Sequence, residues 1–487
     1  MTNPIRHFFS TEAREGYVPN REMLSYATAL AGQNMTYGLV SKWIFYFCTN
    51  ILHMDPDKVG NITSISRVWD ALNDPIVGVA LDRRKYKPGQ KLHPYLGKLP
   101  VVIGLLSALM FTNVGLKGGA AMVFFLVIYF AWDLVYSFQD TALWGTMALI
   151  SPHSDERNRV SQWLNIGAGL GSSSVELIPL LMGVLGGMGL AESHQFILYG
   201  VIFGLCGELL SVLAAKTKER VDYVPEEKQS FMKDLADLRH NKIMILYLLA
   251  QLVSFFDGAV PWIYFFKYCV TLKIGAKEIS GETVQFVFGI LSNVLGIPAQ
   301  FVSARVASLV GGMRNVIIIA KTGNIALRVI AYFVGYQSLG RFAVVTVVMS
   351  FASIFNNLVG IAGRTILCDS VDYAEYKTGK RTEGVCFSAQ NFTNKMLDSI
   401  KLFVCGRILY ALKFNGELSI EELRAASPVY FTAQWPVFML LPALGSLMYL
   451  IPFLCIRYTK KQREEVERFL AEKHERAKEE GTDETDA

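Results

Sequence analysis

Long apolar runs alternate with short polar loops along most of the 487-residue chain. One helical crossing of a bilayer needs about 20 predominantly apolar residues, so each such run predicts a membrane-spanning helix. We predict twelve spans, which lie near residues 23–53, 58–82, 99–117, 119–150, 157–187, 193–215, 243–272, 281–308, 313–336, 341–369, 384–412 and 428–457. The pattern indicates a polytopic helical bundle.

A long polar segment at residues 216–242 divides the predicted spans into two groups of six. Its Leu, Phe and Met spacing fits one short amphipathic helix on the membrane surface. This layout predicts two pseudo-equivalent six-helix halves, at residues 23–215 and 243–457. An N-terminal segment at 1–22 and a charged tail at 458–487 complete the predicted organisation.

Composition and charge agree with a membrane setting. Hydrophobic residues make up 52% of the chain and charged residues only 18%, a balance that is unusual for a soluble domain. Basic residues concentrate in the loops that share a side with both termini, so the positive-inside rule predicts cytoplasmic termini. These residues form no interleaved basic and aromatic patch, which excludes nucleic acid as an expected partner. The seven cysteines include no CxxC pair, and we expect them to be packing residues.

Two carboxylates lie one helical turn apart in the second predicted span, at Asp70 and Asp74. A carboxylate near the middle of a bilayer costs about 2.5 to 3.5 kcal/mol on insertion scales. Two of them on one helix face therefore predict buried partners or a bound cation. The alternative interpretation is a solvated helix end.

A polar and aromatic stripe follows one side of the fourth predicted span. Its members, at helical spacing, are Asp133, Tyr136, Ser137, Asp140 and Trp144. Carboxylates accept hydrogen bonds from sugar hydroxyls, and an aromatic ring packs against the C–H face of a sugar. The stripe predicts a sugar-binding surface, unless Trp144 packs in the core or faces lipid.

An ammonium group stands in the eleventh predicted span, at Lys395. Asn391, Asn394 and Asp398 share its helix face at spacings of three and four residues. This face is expected to line a water-filled cavity. The alternative is that Lys395 only neutralises Asp398 within its own helix.

Two sequence stretches resemble the glycoside-pentoside-hexuronide:cation symporter family. They are RVWDALNDPIVGVALDRRKYKPGQKLHPYL at 67–96 and CDSVDYAEYKTGKRTEG at 368–384. The resemblance implies an all-α membrane protein with the major facilitator fold, in which twelve transmembrane helices form two six-helix halves. It also implies cation-coupled symport of a sugar, glycoside or hexuronide by alternating access across the inner cell membrane. We expect a monomer in the lipid bilayer, with no cofactor and no enzymatic activity.

The resemblance places the cation site on the second and fourth spans. Asp70, Asn73 and Asp74 match the family motif, and Ser137 keeps a hydroxyl where a family member has threonine. Four oxygen-bearing side chains can replace the hydration shell of a small hard cation such as Na⁺. Paired carboxylates also raise each other's proton affinity, so the coupling ion stays open between Na⁺, H⁺ and Li⁺. Lys395 matches a family lysine near this site and is the predicted coupling residue.

The same resemblance assigns sugar-binding roles to Asp140 and Trp144. Asn34 stands where a family member has aspartate, and Gln162 stands where it has arginine. Both amides can still donate to and accept from sugar hydroxyls. The complete set of predicted substrate-binding residues is Asn34, Tyr136, Asp140, Trp144, Gln162, Gln390 and Asn391.

Charged loops after the second and tenth spans predict a cytoplasmic gate. Acidic and basic groups in such loops can latch the inward-closed state through ion pairs that break on opening. The candidates are Asp82, Arg83, Asp372, Glu375 and Arg381. A topology signal explains the basic residues of this set equally well, but not the acidic ones.

Other classes of protein fit the sequence less well. An intramembrane enzyme needs a catalytic cluster at mid-depth, but the seven histidines all lie near loops or ends. A channel needs a pore ring or a filter-like segment, and neither is evident. A carrier of a non-sugar amphipathic or anionic substrate, such as a lipid, on the same fold stays open as the alternative. Other charged residues in the spans have no assigned role and are expected to be internal ion pairs or interface contacts more often than ligands; they are Lys42, Arg67, Glu176, Glu208, Asp257, Lys267, Lys321, Arg328 and Arg364.

Overall fold

The computed structural model describes most of the chain. The described residues are 17–83, 91–116, 118–221, 241–274, 277–378, 383–456 and, in the tail, 462, 465, 466, 468, 469 and 472. Within this part the chain is almost entirely helical. One antiparallel pair of short strands is the exception, formed by β1 (Leu272–Ile274) and β2 (Lys277–Ile279).

Helices of the first part of the chain carry most residues of the predicted cation and sugar sites. They are α1 (Asn20–Tyr46), α2 (Pro56–Arg83), α3 (His93–Met110), α4 (Gly118–Leu149), α5 (Ser154–Ser174), α6 (Ile178–Gly187), α7 (Glu192–Tyr199) and α8 (Gly207–Ser211). Wider π-helical turns at Phe47–Ile51 and Gly200–Cys206 continue α1 and join α7 to α8. Short 3₁₀ turns at Val175–Leu177 and Val212–Lys216 extend α5 and α8 in the same way.

Helices of the second part follow the polar linker. They are α9 (Lys242–Val253), α10 (Ile263–Cys269), α11 (Gly281–Asn293), α12 (Gly296–Val310), α13 (Met313–Val334), α14 (Leu339–Thr378), α15 (Glu383–Ala411), α16 (Ile420–Ala426) and α17 (Pro428–Leu454). The predicted span at 243–272 is interrupted between α9 and α10. Gly258 lies in this interruption with a φ of 74°, a left-handed conformation that glycine adopts without a steric penalty.

Eight helical segments in the described part are long and apolar enough to cross a membrane. They are His93–Met110, Gly118–Met147, Arg159–Gly187, Glu192–Lys216, Gly281–Ala299, Met313–Val334, Leu339–Lys377 and Pro428–Leu454. The remaining predicted spans are α1, α2, α15 and the interrupted pair α9 and α10. The first three carry polar residues of the predicted sites, which lower their mean hydropathy. The chain is thus a multi-pass helical membrane protein, and the twelve-span count remains a prediction.

The chain divides into two compact units. Unit 1 comprises residues 1–226, 280–286 and 405–428, and unit 2 comprises 227–279, 287–404 and 429–487. The core of unit 2 includes buried Met244, Tyr247, Ile317, Leu358 and Tyr449. A separate group of aromatic rings packs together in stacked, tilted and edge-on arrangements. That group contains Phe265, Phe266, Phe288 and Phe438.

Small residues allow the helices of unit 1 to approach closely. A Cβ added at Gly171 of α5 would collide with the carbonyl oxygen of Ala31 in α1, and one at Gly167 would collide with that of Ala27. Close backbone approach at small residues is the usual basis of helix packing in membranes. Unit 1 therefore holds α1 directly against α5.

We expect Gly171→Ala to destabilise the purified protein by about 1–3 kcal/mol, because the added methyl group forces α1 and α5 apart. Gly169→Ala, on the same helix, is the matched control. A Cβ at Gly169 would meet no atom of a neighbouring element within 4 Å. Thermal unfolding in detergent measures the effect. Equal melting temperatures for the two variants would contradict the close contact.

Candidate functional site

A glutamine of α1 is at the centre of a polar network in unit 1. The Gln33 side-chain nitrogen Nε2 donates to the Tyr136 hydroxyl at 2.5 Å and to Asp140 Oδ1 at 2.6 Å. Gln33 Oε1 accepts a hydrogen bond from Asn34 Nδ2 at 2.9 Å. Gln33 is only 1% exposed, so both of its amide hydrogens are used inside the helical bundle.

Three helices meet at this network. Asn34 Oδ1 accepts from Ser172 Oγ of α5 at 3.4 Å, while Tyr136 and Asp140 belong to α4. The Tyr136 ring stacks on Trp132 at 4.7 Å and on Tyr37 of α1 at 5.7 Å between ring centroids. A carboxylate, two amides and an aromatic wall therefore lie together, and these are the groups that recognise an amphipathic sugar.

The predicted cation-site residues lie on α2 and α4. Asp70, Asn73 and Ser137 are 7%, 1% and 3% exposed. Asn73 Nδ2 donates to Ser137 Oγ at 3.3 Å, which joins the two helices at this level. The side chain of Asp74 lies outside the described part of the structure. The structure thus brings Asn73 and Ser137 together in a buried position through the amide nitrogen of Asn73. Both side chains also carry an oxygen, the kind of ligand that a small hard cation prefers.

An arginine and a tyrosine connect the level of Asp70 with the Gln33 network. Arg67, one turn before Asp70, is 5% exposed, and its Nη1 donates to the Tyr37 hydroxyl at 3.4 Å. Its guanidinium carbon also lies 5.7 Å from the Tyr37 ring centroid, within the range of a cation–π contact. Since Tyr37 stacks on Tyr136, the contacts run continuously from Arg67 to Asp140.

Two predicted sugar-binding residues are not part of this network. Trp144 is 42% exposed, and Gln162 is also exposed. Within the described residues neither side chain has a hydrogen bond or a ring contact with Gln33, Tyr136 or Asp140. The structure thus brings Asn34, Tyr136 and Asp140 together and leaves these two apart.

The α15 residues form a separate polar group in unit 2. Gln390 is 9% exposed, and its Nε2 donates to Gln251 Oε1 at 2.6 Å and to Asn394 Oδ1 at 2.9 Å. Asn391 and Asp398 are exposed, whereas Lys395 is half-buried. The face predicted from the spacing around Lys395 therefore carries connected amides.

The predicted gate residues are described only in part. The side chains of Asp82 and Arg83 and the whole of Arg381 lie outside the described residues. Asp372 is half-buried and Glu375 is 4% exposed, both on α14.

Charged contacts that the sequence did not single out lie near the end of α8 and the start of α3. Glu22 and Arg220 form an ion pair of 2.7 Å, and this hydrogen bond raises the pKa of Arg220. The Glu219 carboxylate accepts from the backbone N–H groups of Lys91, Leu92 and His93 at 2.7–3.0 Å. An anion at a helix N-terminus satisfies backbone donors that have no partner within the helix. These contacts fix the chain after α8 to the start of α3.

The charged residues without a predicted role mostly have polar partners. Lys42 pairs with Glu176 at 2.5 Å, and Lys321 pairs with Asp257 at 3.3 Å. The Arg328 Nε donates to Asn324 Oδ1 at 3.0 Å. Buried Glu208, which the sequence left unexplained, accepts from Gln139 Nε2 at 2.8 Å.

Sequence comparison adds independent information. The sequence pattern of the family described as MFS/sugar transport protein matches residues 25–460. The isoprimeverose transporter of Lactiplantibacillus pentosus is 26% identical, over 85% of this chain and 85% of that protein. The uncharacterized symporter YjmB of Bacillus subtilis (strain 168) is 24% identical, over 79% and 82% of the two chains.

Structural comparison gives the fold. The crystal structure of a bacterial homologue of the human lysosomal transporter Spinster matches with a TM-score of 0.58 and 13% sequence identity. The match covers 89% of this chain and 95% of the other. At this identity the likeness establishes a shared transporter fold and carries no information on substrate.

Proposed function

The chain belongs to the MFS/sugar transport protein family, and from this premise we propose cation-coupled symport of a sugar or glycoside by alternating access. The observation that carries the proposal is the buried network of Gln33, Tyr136 and Asp140 in unit 1. The relatives named as an isoprimeverose transporter and a symporter support both the substrate class and the mode of transport.

In the proposed sugar site Asp140 accepts hydrogen bonds from two hydroxyls of the substrate. A carboxylate suits this task because charge-assisted hydrogen bonds are about twice as strong as neutral ones. The amides of Gln33 and Asn34 can donate to further hydroxyls, and Tyr136 can pack against the apolar face of the ring. Trp144, Gln162, Gln390 and Asn391 remain proposed substrate contacts.

In the proposed cation site Asp70, Asn73, Asp74 and Ser137 surround the coupling ion. The hydrogen bond from Asn73 Nδ2 to Ser137 Oγ brings these two side chains together across α2 and α4, which supports a site between these helices. Lys395 is the proposed coupling residue. Na⁺, H⁺ and Li⁺ all suit a site of this chemistry, so the ion must be identified by experiment.

The coupling that we propose between the two sites is supported by contacts within unit 1. An ion that orders Asp70 acts on neighbouring Arg67, which contacts Tyr37 and through it the Tyr136 side of the sugar site. When one ligand has already ordered the site, the second ligand binds with a smaller loss of conformational entropy. This effect is reciprocal, so the ion and the sugar each increase the affinity for the other.

The transport cycle proposed here uses two six-helix halves of twelve spans. The halves rock about the bound ligands and expose them alternately to the two sides of the inner membrane. Both termini are placed in the cytoplasm, and the protein acts as a monomer without a cofactor. The proposed cytoplasmic latch consists of Asp82, Arg83, Asp372, Glu375 and Arg381.

Uptake of a panel of labelled glycosides and hexuronides into membrane vesicles tests the proposal. Each sugar is offered with an imposed Na⁺ gradient, a proton gradient, or neither. We expect at least one sugar to accumulate at least about tenfold more with one gradient than without it, which corresponds to about 1.4 kcal/mol of coupling. If no member of the panel accumulates under either gradient, cation-coupled sugar symport is wrong. Vesicles without the protein are the control.

A further inference from the structure

A buried cluster of charges in unit 2 is not used by the proposed sugar and cation sites. Its two cations, Lys321 and Arg328, are 7% and 8% exposed and lie near the middle of α13. Lys321 Nζ lies 3.3 Å from Asp257 Oδ2 and 3.4 Å from Ser446 Oγ. Its ammonium is also 4.9 Å from the Tyr449 ring centroid. Lys321 is therefore fully provided with partners.

The guanidinium of Arg328 has fewer partners than the Lys321 ammonium. Its Nε donates to Asn324 Oδ1 at 3.0 Å, and Asn324 Nδ2 in turn donates to Asn356 Oδ1 of α14 at 3.0 Å. Among the described residues no carboxylate lies within ion-pair distance of Arg328, and its two Nη groups have no hydrogen-bond partner. Asn324 thus orients the guanidinium while both Nη groups stay open to a ligand.

The balance of charge in this cluster also favours a bound anion at Arg328. The Asp257 carboxylate pairs with Lys321 and not with Arg328. Among the described residues of this cluster, two buried cations therefore have a single carboxylate partner, which pairs with Lys321. A charge in the interior of a membrane protein is normally paired, because removing it from water is expensive. One further negative charge is needed to balance the cluster.

Three elements of unit 2 build the surroundings of this site. Asp257 lies in the interruption between α9 and α10, and the backbone there packs so tightly on α17 that a Cβ at Gly445 would collide with Asp257. The Trp435 indole donates to the Tyr332 carbonyl at 2.9 Å, one turn beyond Arg328 on α13. In membrane transporters, interrupted helices commonly line ligand sites.

A second polar group without a partner lies on α17. Gln434, next to Trp435, is completely buried, and among the described residues neither its Oε1 nor its Nε2 has a hydrogen-bond partner. Buried amides are nearly always satisfied by protein, water or ligand. Its neighbour Trp435 contacts α13 at Tyr332, one turn beyond Arg328.

We propose that Arg328 binds the carboxylate or sulfonate of a small organic anion in unit 2, while Asp257 and Lys321 neutralise each other. The planar fork of an arginine matches the two oxygens of such a group and binds them in a bidentate manner. The site is argued from unit 2 alone, and only its use in carrying a substrate rests on the proposed transport function. An anionic sugar derivative would then bind more tightly than its neutral counterpart.

Equilibrium binding to the full-length protein in phosphatidylcholine nanodiscs tests this proposal. The probes are methyl β-D-glucuronide, glucuronate and methanesulfonate, with methyl β-D-glucoside and glucose as neutral counterparts, all at constant ionic strength. We expect at least one anion to bind the wild-type protein at least about tenfold more tightly than its neutral counterpart. If no anion of the panel shows a preference, the proposal is wrong.

Variants assign the preference to its residue. Arg328→Gln is expected to remove the preference for the anion and to change the affinity for the neutral probe less than about twofold. Arg364→Gln, which removes an exposed arginine of unit 2, is expected to leave the preference intact. An equal loss of anionic and neutral binding in Arg328→Gln would indicate a structural role and overturn the proposal, as would an unchanged preference.

Competition identifies the source of the anionic group. Inorganic sulfate, or phosphatidylglycerol added to the nanodiscs, is expected to compete at least tenfold less effectively than the organic anion. Equal competition by either would overturn the assignment to a small organic anion. Anion binding through Arg328 without gradient-driven uptake would leave this site standing and remove the proposed symport. Gradient-driven uptake without an anion preference would support the proposed symport and overturn the anion site at Arg328.

Discussion

Replacing Asp140 with asparagine is expected to lower the kcat/KM of sugar uptake at least about 100-fold. Asp140 is proposed to accept two hydroxyl hydrogen bonds, and hydrogen bonds to a charged group contribute about 1.5–3 kcal/mol each. A factor of 100 corresponds to about 2.8 kcal/mol, so the combined weakening of the two hydrogen bonds to the charged group accounts for this change. Initial uptake rates in vesicles, corrected for the amount of protein in the membrane, measure it.

The Asp140 prediction has a matched control in the same unit. Glu421→Gln also converts a carboxylate to an amide, but on the exposed surface of α16, and it should leave uptake unchanged. Uptake by Asp140→Asn within threefold of wild type would exclude Asp140 as a sugar ligand.

Replacing Asp70 with asparagine is expected to separate sugar movement from the cation gradient. The variant should lose gradient-driven accumulation, because the ion loses one of its carboxylate ligands and the coupling free energy of about 1–3 kcal/mol that depends on it. Exchange of labelled for unlabelled sugar needs no net cation movement and should persist. The measurements are the accumulation ratio under the imposed gradient and the rate of counterflow.

A second carboxylate of α2 provides the control for Asp70. Asp57 forms an ion pair of 3.1 Å with Arg407 in unit 1. It lies near the start of α2, more than three helical turns before Asp70. Asp57→Asn should therefore retain accumulation. Wild-type accumulation by Asp70→Asn would refute the coupling assignment, and loss of both accumulation and counterflow would reassign Asp70 to the sugar site or to folding.

Helical periodicity was sufficient to predict much of the site on α4. Residues at spacings of three and four share a face, which is why Tyr136 and Asp140 contact the same glutamine. The same periodicity does not indicate the partner helix. Gln33 lies more than 100 positions away in sequence, and in an apolar run it has no local signal beyond its polarity.

The interrupted span shows the limit of the hydropathy argument. Residues 243–272 are largely apolar, so a length criterion predicts one continuous helix. The interruption depends on the left-handed conformation of Gly258 and on backbone packing against Gly445, both of which are tertiary features. The proposed role of Arg328 could not be predicted from the sequence for a related reason. Its Nη groups are open because Asp257 pairs with Lys321, and that pairing is also a tertiary feature.

The hydrogen bond from Gln33 to Asp140 affects how sharply the protein distinguishes related compounds. A binding pocket usually rejects an analogue that lacks one hydroxyl, because a buried acceptor is then left without a donor. Here Gln33 Nε2, a group of the protein itself, donates to Asp140 Oδ1. Deoxy analogues should thus be tolerated better than at a pocket lacking such a donor, and a broad range of glycosides becomes compatible with one unchanged carboxylate.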